Sequence, residues 1–473
     1  MVFYRKIYKA IPHKILTKMG CSKAITKTQA AIAIIIIIAV IALGYYSTLP
    51  APPTAPPTPT PTATPTVTPA PPKKVYLLFA HSLSGAYAKY GEHELRGVKM
   101  AIENINKMGG IKALGGATME LWKIVDLTSD PKTGAAAFEA ALAEAKAAGV
   151  TISAVTVMDI SAMTGPCIPI ADKYRIPLLA SVGTTSFSQM GYKYFFRIFP
   201  TNEYWAKGQI DFVKLVVEQY KPEYKTIAWA YQDTAWPTDL TKSGKEWFQK
   251  YGLDKRLKIV AEVAYPKELV DPVPVATKLK EAGADILILI GYDEVLMILK
   301  AMKAIGYKPL IIGGGGAFAY PEFLDTMGPD AEGITVGFSC NHNWNNPIFK
   351  EVNAKYKALY GSFIHEHAIS GYSGPWIVKY AIEVAKSADP EKVREGLLKL
   401  DIVMGPLEDE GKINEKGQII SPHSLAVFCS GRLKFKENGD NEYMTGIIVQ
   451  WQSGELVTVY PEYCTPYRLK PPK

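Results

Sequence analysis

Short, almost unbroken runs of branched apolar residues recur along this chain, each set apart from the next by a stretch of helical periodicity. A strand with one wet face alternates apolar and polar residues. Only a strand covered on both faces, as in a parallel sheet flanked by helices, reads as a continuous apolar run. From Lys74 the first series is "VYLLFA" (Val75–Ala80), "ELWKIVD" (Glu120–Asp126), "TISAVTV" (Thr151–Val157) and "PLLAS" (Pro177–Ser181). Helices are expected at Tyr87–Met108, Pro131–Ala148 and near Ile160–Tyr174. A second series follows "YFFRIFPTN": "TIAWAY" (Thr226–Tyr231), "LKIVAEV" (Leu257–Val263), "DILILI" (Asp285–Ile290), "PLIIG" (Pro309–Gly313) and "ITVGFS" (Ile334–Ser339). Two such series predict an α/β protein made of two doubly wound parallel-sheet lobes.

Ligands of doubly wound sheets sit at the carboxyl ends of the strands. Those ends carry "HSLSG" (His81–Gly85), "MDIS" (Met158–Ser161), "SVGTTS" (Ser181–Ser186), "YQDTAW" (Tyr231–Trp236), "GYDE" (Gly291–Glu294) and four consecutive glycines, Gly313–Gly316. The glycines meet neither the G-x-x-x-x-G-K-[ST] nor the helix-opening G-x-G-x-x-G pattern. They read as backbone on a cleft rim that something approaches closely, because glycine costs more ordering entropy than any other residue.

At 473 residues the chain exceeds one ordinary core. Its formal charge of +8 would suggest an anionic partner. Seven of those charges, Arg5, Lys6, Lys9, Lys14, Lys18, Lys23 and Lys27, fall in residues 1–72 with no acid among them. The rest is nearly neutral, so no nucleic-acid footprint is present. After the basic segment 1–29, "AAIAIIIIIAVIALGYY" (residues 30–46) is long enough to span a bilayer. The positive-inside rule then places everything beyond Tyr46 outside the cell. No cysteine follows the apolar run directly, which excludes a bacterial-type lipid anchor. "SKAITKTQAAIAI" (Ser22–Ile34) resembles the prepilin-like signal of archaeal binding proteins, in which cleavage would fall between Ala24 and Ile25; an uncleaved signal anchor fits the same residues. Residues 47–73 are a Pro/Thr-rich stalk, extended as polyproline II over up to roughly 70 Å. Cys167, Cys340, Cys429 and Cys464 permit two disulfides in any of three pairings, or unpaired buried thiols.

"LSGAYAKYGEHELRGVKMAIENINKMGGI" (Leu83–Ile111) resembles the start of the Leu/Ile/Val-binding proteins, the solute-binding components of branched-chain amino-acid ABC transporters. "DLTSDPKTG" (Asp126–Gly134), "IPLLASVGTTSFSQMGYKYFFRIFPTN" (Ile176–Asn202), "MGPLEDEGKINEKGQ" (Met404–Gln418) and "KFKENGDNEYMTGIIVQWQSGELV" (Lys434–Val457) extend the resemblance in order, over about Lys74 to Pro461. It implies the type 1 periplasmic binding protein fold, with three crossovers near Ile198–Asn202, Ser339–Trp344 and Cys429–Leu433. Lobe one would be 74–199 plus 341–430, lobe two 200–340 plus 431–461, and 462–473 a tail. The lobes would close by hinge bending on a small-molecule ligand.

The same resemblance implies that a ligand α-carboxylate is held by Ser161, the backbone of Val182, and Thr184. Tyr90, Trp236 and Tyr292 would form aromatic walls. In the family the α-amino group meets an acidic residue in a loop that corresponds here to the glycine run, with Gly315 in the acidic position. A buried ammonium needs a partner; Asp293, Glu294 and Asp233 are the substitutes offered by nearby strand ends, or the ligand is an amide or carboxylate without an ammonium. The expected protein is a monomeric, membrane-anchored extracytoplasmic binding domain that docks on ABC permease subunits, with no cofactor, no metal and no catalytic residue. No G-x-S-x-G or H-E-x-x-H occurs, and "HEH" (His365–His367) reads as a polar loop before a helix at Gly371–Ala385. A ligand-sensing ectodomain and a surface filament protein are the competing classes.

Overall fold

The computed structural model describes residues 73–470. The expected N-terminal segment, membrane helix and stalk (residues 1–72) lie outside them, and among the described residues no helix is long and apolar enough to cross a membrane.

The first sheet holds β1 (Lys74–His81), β2 (Thr118–Asp126), β3 (Ile152–Met158), β4 (Leu178–Ala180) and β5 (Phe195–Arg197), all parallel, in the order β2-β1-β3-β4-β5. The second holds β6 (Thr226–Gln232), β7 (Lys258–Tyr265), β8 (Ile286–Ile290), β9 (Leu310–Gly314), β10 (Thr335–Phe338), β14 (Ile447–Gln452) and β15 (Glu455–Tyr460), in the order β15-β14-β10-β9-β8-β6-β7. Every residue of β3 and β8 is buried, as their unbroken apolar runs require. A small third sheet joins β11 (Ile402–Val403), β12 (Ile419–Ile420) and β13 (Arg432–Leu433).

The second sheet is not wholly parallel. β14 runs antiparallel to β10, and β15 returns antiparallel to β14 through a tight turn at Ser453 and Gly454, both with positive φ. Positive φ at both central residues is what a two-residue hairpin needs to match strand twist.

Helices cover both sheets. Those at Pro131–Ala147 and Pro390–Lys399 begin alike: an Asp side chain, Asp130 or Asp389, accepts first-turn backbone N–H groups, and proline follows at the first helical position. The helix Glu366–Ala385 starts five residues before the expected Gly371 and is buried over nearly its whole length. It crosses Ala88–Lys107 at glycines: a Cβ on Gly97 would lie 2.0 Å from the Ala368 carbonyl oxygen, and one on Gly371 2.1 Å from that of Glu94. Only backbone without side chains fits this crossing, and it places Glu94 beside the start of the later helix.

The chain passes between the sheets after Arg197, after Phe338, and between Asp440 and Ile447. The fully buried Arg197 guanidinium pairs with Asp440 at 2.8 Å and donates to the carbonyls of Val182 (2.5 Å) and Thr184 (2.9 Å). Of the four candidate cysteines, Cys429 and Cys464 form a disulfide, with Cα atoms 5.5 Å apart; Cys167 and Cys340 are buried free thiols. Burial pushes the Cys167 thiol up to about 12, so it is an inert core group.

Candidate ligand site

Each sheet has one place where successive strands begin to be added on the opposite side. In the first sheet it lies between β1 and β3, in the second between β6 and β8. The carboxyl ends of strands at such points leave a crevice, and here the two crevices face each other. Tyr87 Oη, just past β1, is 3.5 Å from Gln232 Oε1 at the end of β6, and Tyr90 Oη donates to Asp293 Oδ1 at 3.1 Å. Lys267 Nζ reaches the Ser129 carbonyl at 2.8 Å, and Thr185 N–H the Asp239 carboxylate at 2.9 Å. These contacts hold the cleft shut around a cavity of about 20 Å³, room for one or two waters. A larger solute enters only if the lobes part.

The walls differ in kind. The lobe of the second sheet supplies Trp205, Trp236, Tyr292 and Gly316. Trp236 lies with its ring centroid 5.3 Å from that of Trp205 and 5.3 Å from that of Tyr292. The glycine run makes this wall possible. Gly315 and Gly316 both have φ of 56°, and a Cβ on Gly315 would lie 2.7 Å from Trp236 Cη2, one on Gly316 2.1 Å from the Gly291 carbonyl oxygen. The indole N–H groups of Trp205 and Trp236 have no hydrogen-bond partner among the described residues.

The lobe of the first sheet supplies Asp159, Ser161, Ser181, Gly183, Glu366 and His367. Ser161 opens the helix Ser161–Tyr174, whose first-turn N–H groups and dipole favour an anion. The preceding Ile160 has φ 59°, a strained conformation for a β-branched residue. Asp159 Oδ1 secures it by accepting the Ile160 N–H at 2.6 Å. Asp159 Oδ2 pairs with His367 Nε2, and Tyr320 Oη meets His367 Nδ1 from across the cleft. Burial works against a charge on His367, but Asp159 outweighs it and lifts the imidazolium up to about 9. Burial drives the Glu366 carboxyl up to about 8, with Ser339 Oγ as its hydrogen-bond partner. Burial holds His93 down to about 3 and His365 well below its ordinary value, so both are neutral beside Tyr320. The cavity thus carries one fixed ion pair, a carboxyl that burial keeps protonated up to about pH 8, hydroxyls, and a helix N-terminus opposite an aromatic wall.

Of the residues singled out from the sequence, Ser161, Trp236 and Tyr292 line this cavity. Tyr90 packs behind it, 5.3 Å from Tyr292 and 5.0 Å from His367 between ring centroids. Val182 and Thr184 lie on the same loop as the lining Gly183 but spend their carbonyls on Arg197. Gly315 backs Trp236, while its neighbour Gly316 faces the cavity. Asp293 takes Tyr90 Oη and Lys89 at the outer edge, Asp233 is exposed, and Glu294 turns its carboxylate to the Tyr292 N–H. Sequence reasoning missed Asp159, Glu366 and His367 as site residues. Two of them sit in "HEH", which opens the helix Glu366–Ala385, and the third in "MDIS" at a strand end already marked in the sequence; the structure buries the acid of each.

The periplasmic binding protein family model matches residues 74–431. A Leu/Ile/Val-binding protein homolog 8 from Brucella melitensis is 29% identical over 394 residues, covering 81% of this chain and 89% of its own length. The substrate-binding protein of a branched-chain amino-acid transporter from Streptococcus pneumoniae, solved with isoleucine, has a TM-score of 0.62 at 19% identity, over 82% of this chain and 100% of that one. A solute-binding protein of an ABC transporter from R. palustris, solved with benzoate, has a TM-score of 0.65 at 14% identity, over 84% and 98%. Two doubly wound lobes meeting at facing switch points, and a family match spanning three quarters of the sequence, lead to one statement: this chain belongs to the periplasmic binding protein family of solute receptors, not to an enzyme class.

Proposed function

We propose that this protein is the extracytoplasmic receptor of an ABC importer and that it closes its lobes on a small apolar amino acid. The observation that carries the ligand class is the split cavity. An aromatic wall of Trp205, Trp236 and Tyr292 suits an apolar side chain, and the opposite wall offers complements to both ends of a zwitterion. The first turn at Ser161 and the Gly183 backbone would take the carboxylate; Asp159 and Glu366 would take the ammonium that Gly315 cannot. The carboxylate absent from the glycine run is thereby supplied from the other lobe. Relatives named as Leu/Ile/Val-binding homologs support the reading. The fold alone does not choose, since solved neighbours carry isoleucine in one case and benzoate in another. A carboxylate ligand without an ammonium is the second reading, favoured by the protonated His367 beside the cavity.

The finer assignment is an archaeal-type form held to the membrane by the apolar segment 30–46 and raised on the stalk, delivering solute to permease subunits. The basic flank and the Pro/Thr run support it. Isothermal titration of the full chain with leucine, 4-methylpentanoate and 3-methylbutylamine tests the ligand reading. Leucine should bind at least about tenfold tighter than either truncated analogue, since each leaves a buried polar wall without its partner. Tighter binding of 4-methylpentanoate selects the second reading, and no heat with any small solute sinks both.

A further inference from the structure

Directly behind Asp159 lie two polar side chains, His81 and Glu94, that solute capture does not use. His81 ends β1, Glu94 projects from the helix Ala88–Lys107, and Asp159 follows β3, the strand adjacent to β1. One ligand atom from each lies within 4.8 Å of the others, and all three residues are buried, His81 and Glu94 almost completely. We propose that His81 Nε2, Glu94 Oε2 and an Asp159 carboxylate oxygen form a binding site for a first-row divalent cation of the zinc type, at the floor of the interlobe cavity.

The orientation of His81 carries the inference. Its Nδ1 faces the Ser82 carbonyl at 3.3 Å. A carbonyl only accepts, so Nδ1 holds the proton and Nε2 presents its lone pair. That lone pair is directed toward Glu94 Oε2, 3.2 Å away, and neither atom has any other hydrogen-bond partner among the described residues. Two such atoms approach this closely in a dry interior only with something positive between them, either a metal ion or the proton that burial favours on Glu94. An imidazole whose other ring nitrogen donates to a backbone carbonyl is the usual arrangement of a metal-ligating histidine. Ligands about 2.1 Å from a tetrahedral zinc stand about 3.4 Å apart, close to the His81–Glu94 separation.

The remaining shell is also in place. Ser181 Oγ donates to Glu94 Oε1 at 3.1 Å and leaves Oε2 turned to the cluster. Asp159 completes a three-ligand set by closing a gap of at most 4.8 Å to the roughly 3.4 Å of a zinc shell. Because Asp159 also lines the cavity, the fourth position opens toward the solute space, and the parted cleft gives the ion access. One imidazole with two carboxylates suits a borderline dication better than calcium, which takes six to eight oxygens.

The test uses the full chain, stripped with a chelator and titrated with Zn²⁺ alone, with retained metal counted by mass spectrometry after desalting. One equivalent per chain is expected, and His81→Ala and Glu94→Gln should each weaken binding at least about tenfold. Co²⁺ added to the unsubstituted protein should give the visible absorption of a four-coordinate nitrogen–oxygen site, a readout free of any folding defect in the variants. Retention of less than about a tenth of an equivalent overturns the proposal, since a proton shared between His81 and Glu94 binds no metal. Unchanged affinity in both variants also overturns it.

Discussion

Glu294 offers a quantitative check on how the cleft edge is built. It opens the helix Glu294–Ala304 two residues after Tyr292, and its Oε1 accepts the Tyr292 N–H at 3.0 Å. Burial raises its carboxyl from an ordinary 4.5 to about 7, against the hydrogen bonds from the Tyr292 and Glu294 backbone and from Gln232. The folded protein therefore keeps a proton where the unfolded chain has lost it. Below pH 4.5 both states are protonated and Glu294 is neutral toward folding. As pH rises from 4.5 through about 7 the unfolded state ionises first, and stability falls. The gap corresponds to about 3 kcal/mol at most, at 1.36 kcal/mol per pH unit. Residual exposure of the residue brings this to about 2 kcal/mol. Glu294→Gln keeps a carbonyl for Tyr292 and removes the titration. Urea unfolding of both proteins between pH 4.5 and 8.5 should give curves that diverge with rising pH, the variant gaining about 2 kcal/mol by pH 8. Parallel curves across that range would refute the assignment of a desolvated carboxyl.

Three further outcomes follow from features away from the cavity. Gly371→Ala forces a Cβ to 2.1 Å from the Glu94 carbonyl oxygen and should cost about 2–3 kcal/mol in thermal unfolding; an unchanged midpoint would mean the two helices do not cross this closely. Asp440→Asn leaves the fully buried Arg197 without its anion and should cost about 3 kcal/mol, measured by denaturant titration. Reducing the Cys429–Cys464 bond, which spans 35 residues, should lower stability by about 4 kcal/mol on the loop-entropy relation. Identical melting with and without reductant would argue that the bridge is not formed.

Of the nine strands read from apolar runs, the central ones were legible because burial on both faces writes an unmistakable pattern, β8 being five apolar residues in a row, while the half-exposed edge strands β2 and β7 showed through their β-branched and aromatic residues. The β14–β15 hairpin was not, because it sits at a sheet edge where alternation is blurred by Gln450 and Gln452 and a two-residue turn is a weak mark. β5 was lost for another reason: three residues ending in Arg197 look like a linker until Asp440, 243 positions later, neutralises the arginine. The same difficulty hid half of the cavity. Aromatic residues at strand ends, such as Trp236 and Tyr292, announce themselves locally. Asp159, Glu366 and His367 become a group only when a helix crossing at Gly97 and Gly371 brings distant segments together, and the spacing of a single sequence does not encode that meeting.

Every ionisable carboxylate or imidazole on the cavity surface comes from one lobe, and the indole and phenol faces come from the other. Such a division lets the two halves drift under separate selective pressures. Substitutions along Trp205, Trp236 and Tyr292 would widen or narrow the range of tails accepted without disturbing the machinery that senses the polar end. A lineage could thus trade one nutrient for another by remodelling a single wall, while the charged half stays fixed by the helix crossing beneath it.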